Sequence, residues 1–107
     1  MIPKTTITGK LFDQHGRPGT AVLNIQLERT ATDPDHGKIL AEPTTVTPDP
    51  DGSLSFELWP SQRAQEPTLY RMIISRKGET LADWRLDVPD QPEADLMAVI
   101  IDPDQLD

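Results

Sequence analysis

The feature that most constrains this chain is a turn running straight into an alternating segment: Asp49-Pro50-Asp51-Gly52, then Ser53-Leu54-Ser55-Phe56-Glu57-Leu58-Trp59-Pro60. Proline fixes one backbone angle and glycine accepts positive φ, so the first four residues favour a tight reversal. Beyond it, Leu54, Phe56 and Leu58 alternate with Ser53, Ser55 and Glu57. Side chains on a strand alternate faces, so the three apolar residues must meet one core, and the rest of the chain must cover them.

The other segments have the same form. Residues 5–12 place Ile7, Gly9 and Leu11 on one face, and residues 20–29 place Leu23, Ile25 and Leu27 inward. The short connection between these two segments predicts that they pair as antiparallel neighbours. Residues 30–38 lack apolar periodicity and read as an exposed loop. Ile39 to Thr47 reads as a strand broken by Pro43, which belongs on a sheet edge because proline cannot donate a ladder hydrogen bond. After a polar stretch from Ser61 to Pro67 with room for one helical turn, Tyr70, Met72 and Ile74 form a core face. A hairpin at Lys77-Gly78-Glu79 then leads to Trp84, Leu86 and Val88.

From Pro89 the pattern changes. Leu96, Val99 and Ile100 stand at helical spacing behind acidic residues, which predicts a short C-terminal helix; a terminal strand with Leu96, Ala98 and Ile100 inward is the alternative. The predicted fold is all-β, an antiparallel sandwich of about seven strands. Residues 1–90 form the sandwich, and residues 91–107 add an apolar segment and acidic tail, either part of the same domain or an assembly arm. The 11 prolines and 6 glycines lie between alternating segments and punctuate strands.

A net charge of −8 repels phosphate backbones and anionic lipid, which argues against nucleic-acid and membrane partners. No cysteine is present, so disulfides and thiolate metal sites are excluded. The N-terminal residues do not read as a signal peptide, and no apolar run is long enough to span a bilayer; a soluble protein made in the cytosol is expected.

Candidate sites are few. Aligning Gly52 or Gly37 with the glycine of a calcium-binding helix-loop-helix loop puts Thr47 and Leu58, or Pro34 and His36, on ligand positions, and both alignments fail. His15 and His36 lie beside Asp13 and Asp35 but lack a third ligand or HExxH spacing, so both read as surface histidines. Asp83 with Asp87, and Glu93 with Asp95, imitate an acidic dyad only if held across a cleft; they read as solvated strand faces. No metal, cofactor or catalytic residue is expected. Trp59 either faces water, as an interface anchor or sugar-stacking platform, or turns into the core rim where the strand bends at Pro60. Phe12 raises the same question at the end of the first strand.

The spacing of Ile7 to Pro18, Val22 to Leu27 and Asp49 to Leu58 resembles the prealbumin-like, carboxypeptidase-regulatory type of immunoglobulin-like sandwich. The later residues, Tyr70 to Ile74 and Trp84 to Asp90 leading into Ala94-Asp95-Leu96, resemble the close of domains in tailed-bacteriophage tail-fibre and baseplate proteins, where a strand ends in a Val-Pro-Asp type turn. The resemblance implies a non-catalytic virion structural module with other phage structural proteins as partners, present as a homo-oligomer or in several copies. A chain one domain long and without fibrous repeats fits a fibre-attachment, tail-tip, baseplate or decoration component. Its expected contact residues are Phe12, Pro43, Trp59, Leu96, Val99 and Ile100. The alternatives are a carbohydrate-binding module in which Trp59 holds a host glycan, and a hydrolase using Asp83 and Asp87.

Overall fold

The computed structural model describes residues 2–12, 16 and 21–101. The strands run in chain order as β1 (Thr5–Lys10), β2 (Val22–Leu27), β3 (Ala31–Asp33), β4 (Gly37–Ile39), β5 (Thr44–Val46), β6 (Ser53–Leu58), β7 (Tyr70–Arg76), β8 (Glu79–Leu86) and β9 (Glu93–Asp95). A single helical turn, α1 (Leu96–Val99), and β10 (Ile100–Ile101) follow. The fold is all-β and sandwich-like. One sheet has the order β6-β1-β9 and the other β10-β8-β7-β2-β5, with β3 and β4 forming a separate hairpin. Every pairing is antiparallel except that of β1 with β9.

The expected alternation produces the core. Ile7, Leu54, Phe56 and Leu58 from the smaller sheet join Leu23, Ile25, Leu27, Tyr70, Met72, Ile74 and Leu86 from the larger in one buried cluster. Opposite positions share a face, so Ile7 against Phe56 and Ile25 against Met72 give each sheet a continuous apolar inner surface. Where β7 and β8 pair, the register slips between Ile74 and Ser75, which leaves Leu81 without an opposite residue and half-exposed. The β7–β8 hairpin turns through Lys77 and Gly78, and Lys77 takes a positive φ of 53° as a tight two-residue connection requires.

Three sequence expectations are corrected. First, β1 and β2 do not pair: β1 lies between β6 and β9, and β2 between β5 and β7. The connection carries the chain across from one sheet to the other, a step of about 10 Å that a short segment spans as readily as a hairpin. Residues 13–15 and 17–20 of this connection lie outside those described, and so does the acidic tail from residue 102. Second, residues 31–39 are the β3–β4 hairpin, with Ala31 and Asp33 buried. Third, residues 93–101 are neither one helix nor one strand. β9 pairs with β1, α1 crosses the open end of the sandwich, and β10 pairs with β8, so the segment ties both sheets together.

That crossing explains Gly9. A Cβ there would lie 2.8 Å from Leu96 Cβ and 3.3 Å from its Cδ2, so only glycine lets α1 settle on β1. Leu96 and Val99 are buried, each stabilising the fold by about 1.5–3 kcal/mol, a large share of the roughly 5–15 kcal/mol a domain holds in total. The segment is therefore structural in the same chain. We expect Gly9→Ala to destabilise by about 1–3 kcal/mol and Leu96→Ala by about 2–5 kcal/mol in urea unfolding. Leu96→Ala keeps the Cβ that the new methyl would meet, so these two changes should add nearly in full, whereas Gly9→Ala combined with Leu96→Gly should cost less than the sum of its parts; strict additivity in that second pair would show that Gly9 and Leu96 do not contact one another.

Candidate functional site

The strongest electrostatic feature is built from residues the sequence scatters among loops. Asp33, at the end of β3, has a side chain with no solvent exposure. A buried carboxylate must be given hydrogen bonds by the protein, and Asp33 accepts several. Trp59 Nε1 donates to Oδ2 at 2.7 Å and Arg63 Nε to the same oxygen at 2.9 Å. On Oδ1 it accepts from the Asp35 amide at 2.9 Å and Arg63 Nη2 at 3.2 Å, with His36 Nδ1 also 3.2 Å away. Arg63 in turn donates to Asp35 Oδ2 at 2.8 Å and Asp90 Oδ2 at 3.0 Å.

Local structure sets each partner. Pro60 stops β6 and opens a 3-10 turn over Ser61–Arg63, which Arg63 N closes onto Pro60 O at 3.1 Å. Ser61 Oγ accepts from Val88 N at 2.9 Å, and Gln62 N donates to Val88 O at 3.1 Å, fixing the turn against the chain after β8. Tyr70 Oη donates to Trp59 O at 2.8 Å in the core, and burial pushes the Tyr70 phenol upward from its ordinary value. The β3–β4 hairpin meets the segment after this turn where Gln65 N donates to Thr32 O and Thr32 N donates to Glu66 Oε1.

Arg63 beside it holds the Asp33 carboxyl well below the usual carboxylate range, against the opposing effect of burial, with Trp59 and the Asp35 amide adding to the depression. Asp33, Asp90 and Asp35 together push Arg63 upward. A permanently ionised acid and a guanidinium with three carboxylate partners do not exchange protons near neutrality. The arrangement is a mechanical clasp joining the hairpin, the 3-10 turn and the loop at Asp90.

The sequence-derived candidates are dispersed. Trp59 is 6% exposed with its indole N–H on Asp33, so the exposed reading is corrected: strand β6 bends at Pro60 and the ring enters the core, leaving no sugar-stacking face. Leu96 and Val99 are likewise buried and Ile100 half-buried, so they pack on their own sandwich instead of offering a contact surface. Phe12 is 51% exposed, and Pro43 is exposed ahead of edge strand β5. Asp83 is paired with Arg71 at 2.6 Å and Arg85 at 3.0 Å, and Arg71 holds it below its ordinary value; Asp87 accepts from Gln62 Nε2. Asp95 caps α1 by accepting from Met97 N at 2.9 Å. His36 contacts Asp33 rather than its sequence neighbour Asp35, and His15 lies outside the described residues. Among the described residues no group of three or more His, Asp or Glu side chains is arranged to hold a metal.

A groove of about 520 Å³ beside the clasp is lined by Glu28, Gln62, Gln65, Thr68 and Asp87 among others. Its polar groups are partly spent internally: Glu28 pairs with Arg85 at 3.3 Å and Gln62 with Asp87 at 3.2 Å. No protein-family model and no curated protein matches this chain.

The clasp fixes a pH dependence. Because the Asp33 carboxyl is depressed in the folded state, its stabilisation is complete above the unfolded value of about 3.9 and is lost progressively as pH falls below it. Thermal unfolding between pH 7 and 2.5 should show a midpoint that drops below about pH 4. Asp33→Asn should start lower at pH 7, with Arg63 left to Asp35 and Asp90 alone, and show a shallower acid slope; an unchanged slope would mean that other carboxylates carry the acid response.

Proposed function

We propose that this chain is a non-catalytic virion structural module of a tailed bacteriophage, serving in fibre attachment, at the tail tip or baseplate, or as a decoration component. The reading takes its biological setting from the resemblance of residues 70–74 and 84–96 to the close of tail-fibre and baseplate domains. Its physical support is the division of labour in the fold: the strongest charged interactions are consumed in the clasp, while apolar side chains on firmly held segments face water.

The observation that carries it is Met97. It is 77% exposed although its neighbours in the same helical turn, Leu96 and Val99, are buried, so the turn that carries it is anchored while its side chain faces outward. Leu40, 73% exposed just past β4, is a second apolar side chain facing water. An apolar side chain fixed in water gains from being covered, and repetition of a small domain around a symmetric particle multiplies that gain. In this setting the chain binds other structural proteins and acts in several copies.

Quantitative mass spectrometry of purified particles from the host that encodes the chain tests the reading. The expected outcome is a copy number matching the symmetry of the tail or capsid, with Met97→Ser lowering incorporation while leaving the unfolding free energy within about 0.5 kcal/mol of the parent. Absence of the chain from intact particles would overturn it.

A further inference from the structure

The geometry points to the free edge of β6 as a docking site for an extended, basic strand of another protein. This inference rests on the reading of the chain as an interaction module, though not on which assembly it serves.

The two sheets end in four edge strands, and three are short. β5 has three residues between Pro43 and Pro48, β9 has three residues after Pro92, and β10 has two. Short strands and flanking prolines are ways of closing an edge to further pairing. β6 has six residues, Ser53 to Leu58, without proline or bulge.

Its hydrogen-bonding direction follows from the register. Leu11 N donates to Gly52 O at 2.9 Å, and Gly9, Ile7 and Thr5 stand opposite Leu54, Phe56 and Leu58. In an antiparallel ladder alternate residues bond to the neighbour and those between point away. Ser53, Ser55 and Glu57 therefore direct their N–H and C=O outward. Ser53 is satisfied locally, its carbonyl accepting from Asp49 N at 2.8 Å and its amide donating to Asp51 Oδ1 at 3.0 Å. The backbone groups of Ser55 and Glu57 have no partner among the described residues.

Charge selects the occupant. Asp49 and Asp51 stand exposed at one end of this edge and Glu57 near the other, and Glu93 lies on the same outer face, across Thr6 from Glu57. Lys10, opposite Ser53, already offsets Asp51. A second copy of this chain would bring Asp49, Asp51 and Glu57 of both molecules to one edge, each molecule carrying a net charge of −8. A strand with lysine or arginine opposite Glu57 avoids that repulsion. Residues opposite Leu54 and Phe56 would face the core rim and are best apolar. At the Gly52 end the Phe12 ring, half-exposed, offers an apolar contact: it packs so closely that a Cβ on Gly52 would lie 2.9 Å from its Cε1.

The test uses the isotopically labelled full chain and a short capped peptide alternating lysine and valine. Binding should shift the Ser55 and Glu57 amide resonances and protect them from hydrogen exchange. N-methylation of alternate peptide amides should weaken binding about tenfold or more, because the backbone bonds are lost at constant charge. Ser55→Pro, which removes one outward donor, should do the same. Glu57→Lys leaves the backbone intact and should narrow the preference for the lysine–valine peptide over a glutamate–valine one. Absence of binding, equal binding of the methylated peptide, or shifts at Ser55 and Glu57 on raising protein concentration alone would overturn the inference. Shifts confined to residues around Met97 or Leu40 would overturn it while leaving the chain an interaction module.

Discussion

A carboxylate removed from water holds its charge only if its surroundings supply donors in the right places, and at Asp33 these come from Trp59, Arg63 and the hairpin's own backbone. This makes the site a consistency check on the whole end of the molecule. The 3-10 turn has to present Arg63, β6 has to end with Trp59 turned inward, and the loop after Val88 has to bring Asp90 within reach. Displacing the turn leaves the buried Asp33 without its cation, and displacing Trp59 or Asp90 removes one hydrogen bond from the pair. The β3–β4 hairpin has little apolar surface of its own, with Ala31 its one fully buried hydrophobic residue. Its position depends on the clasp more than on hydrophobic burial.

The opposite arrangement holds where α1 crosses β1. There the contact is apolar and governed by shape: Gly9 lacks a side chain, Leu96 fills the space, and Val99 and Val88 complete the closure. Thr5 adds a polar tie by donating from Oγ1 to Pro89 O at 2.7 Å. The sandwich is thus secured by ionic hydrogen bonding at the clasp and by close packing where α1 crosses β1, and the chain from Val88 to Asp90 touches both.

The strands were legible because strand burial is a local property with a period of two. Leu23, Ile25 and Leu27, like Leu54, Phe56 and Leu58, announce their face without knowledge of their neighbours. Pairing is not local: nothing in residues 5–29 reveals that β1 sits between β6 and β9, since an arch between sheets and a hairpin within one use connections of similar length. The clasp escaped for the same reason. The Thr-Asp-Pro-Asp-His-Gly run is a turn on any reading, but the burial of Asp33 is decided by Trp59 and Arg63, 26 and 30 residues further on. Trp59 was ambiguous because a period-two pattern places it outward, while the proline behind it bends the chain the other way. In residues 93–101 helical and strand spacing coexist, and the structure uses each in turn.

The parallel pairing of β1 with β9 sets an order of events in biosynthesis. Thr6 N reaches Pro92 O, and Ile7 lies opposite Ala94, so β1 has one flank that is filled only when residues near position 93, more than 80 residues later in synthesis, have emerged. Contacts this distant along the chain form late and slowly. Until then Ile7 and Gly9 border an unfilled groove with Leu96 missing from it, and a nascent chain in that state has an exposed apolar seam that invites chaperones or premature association.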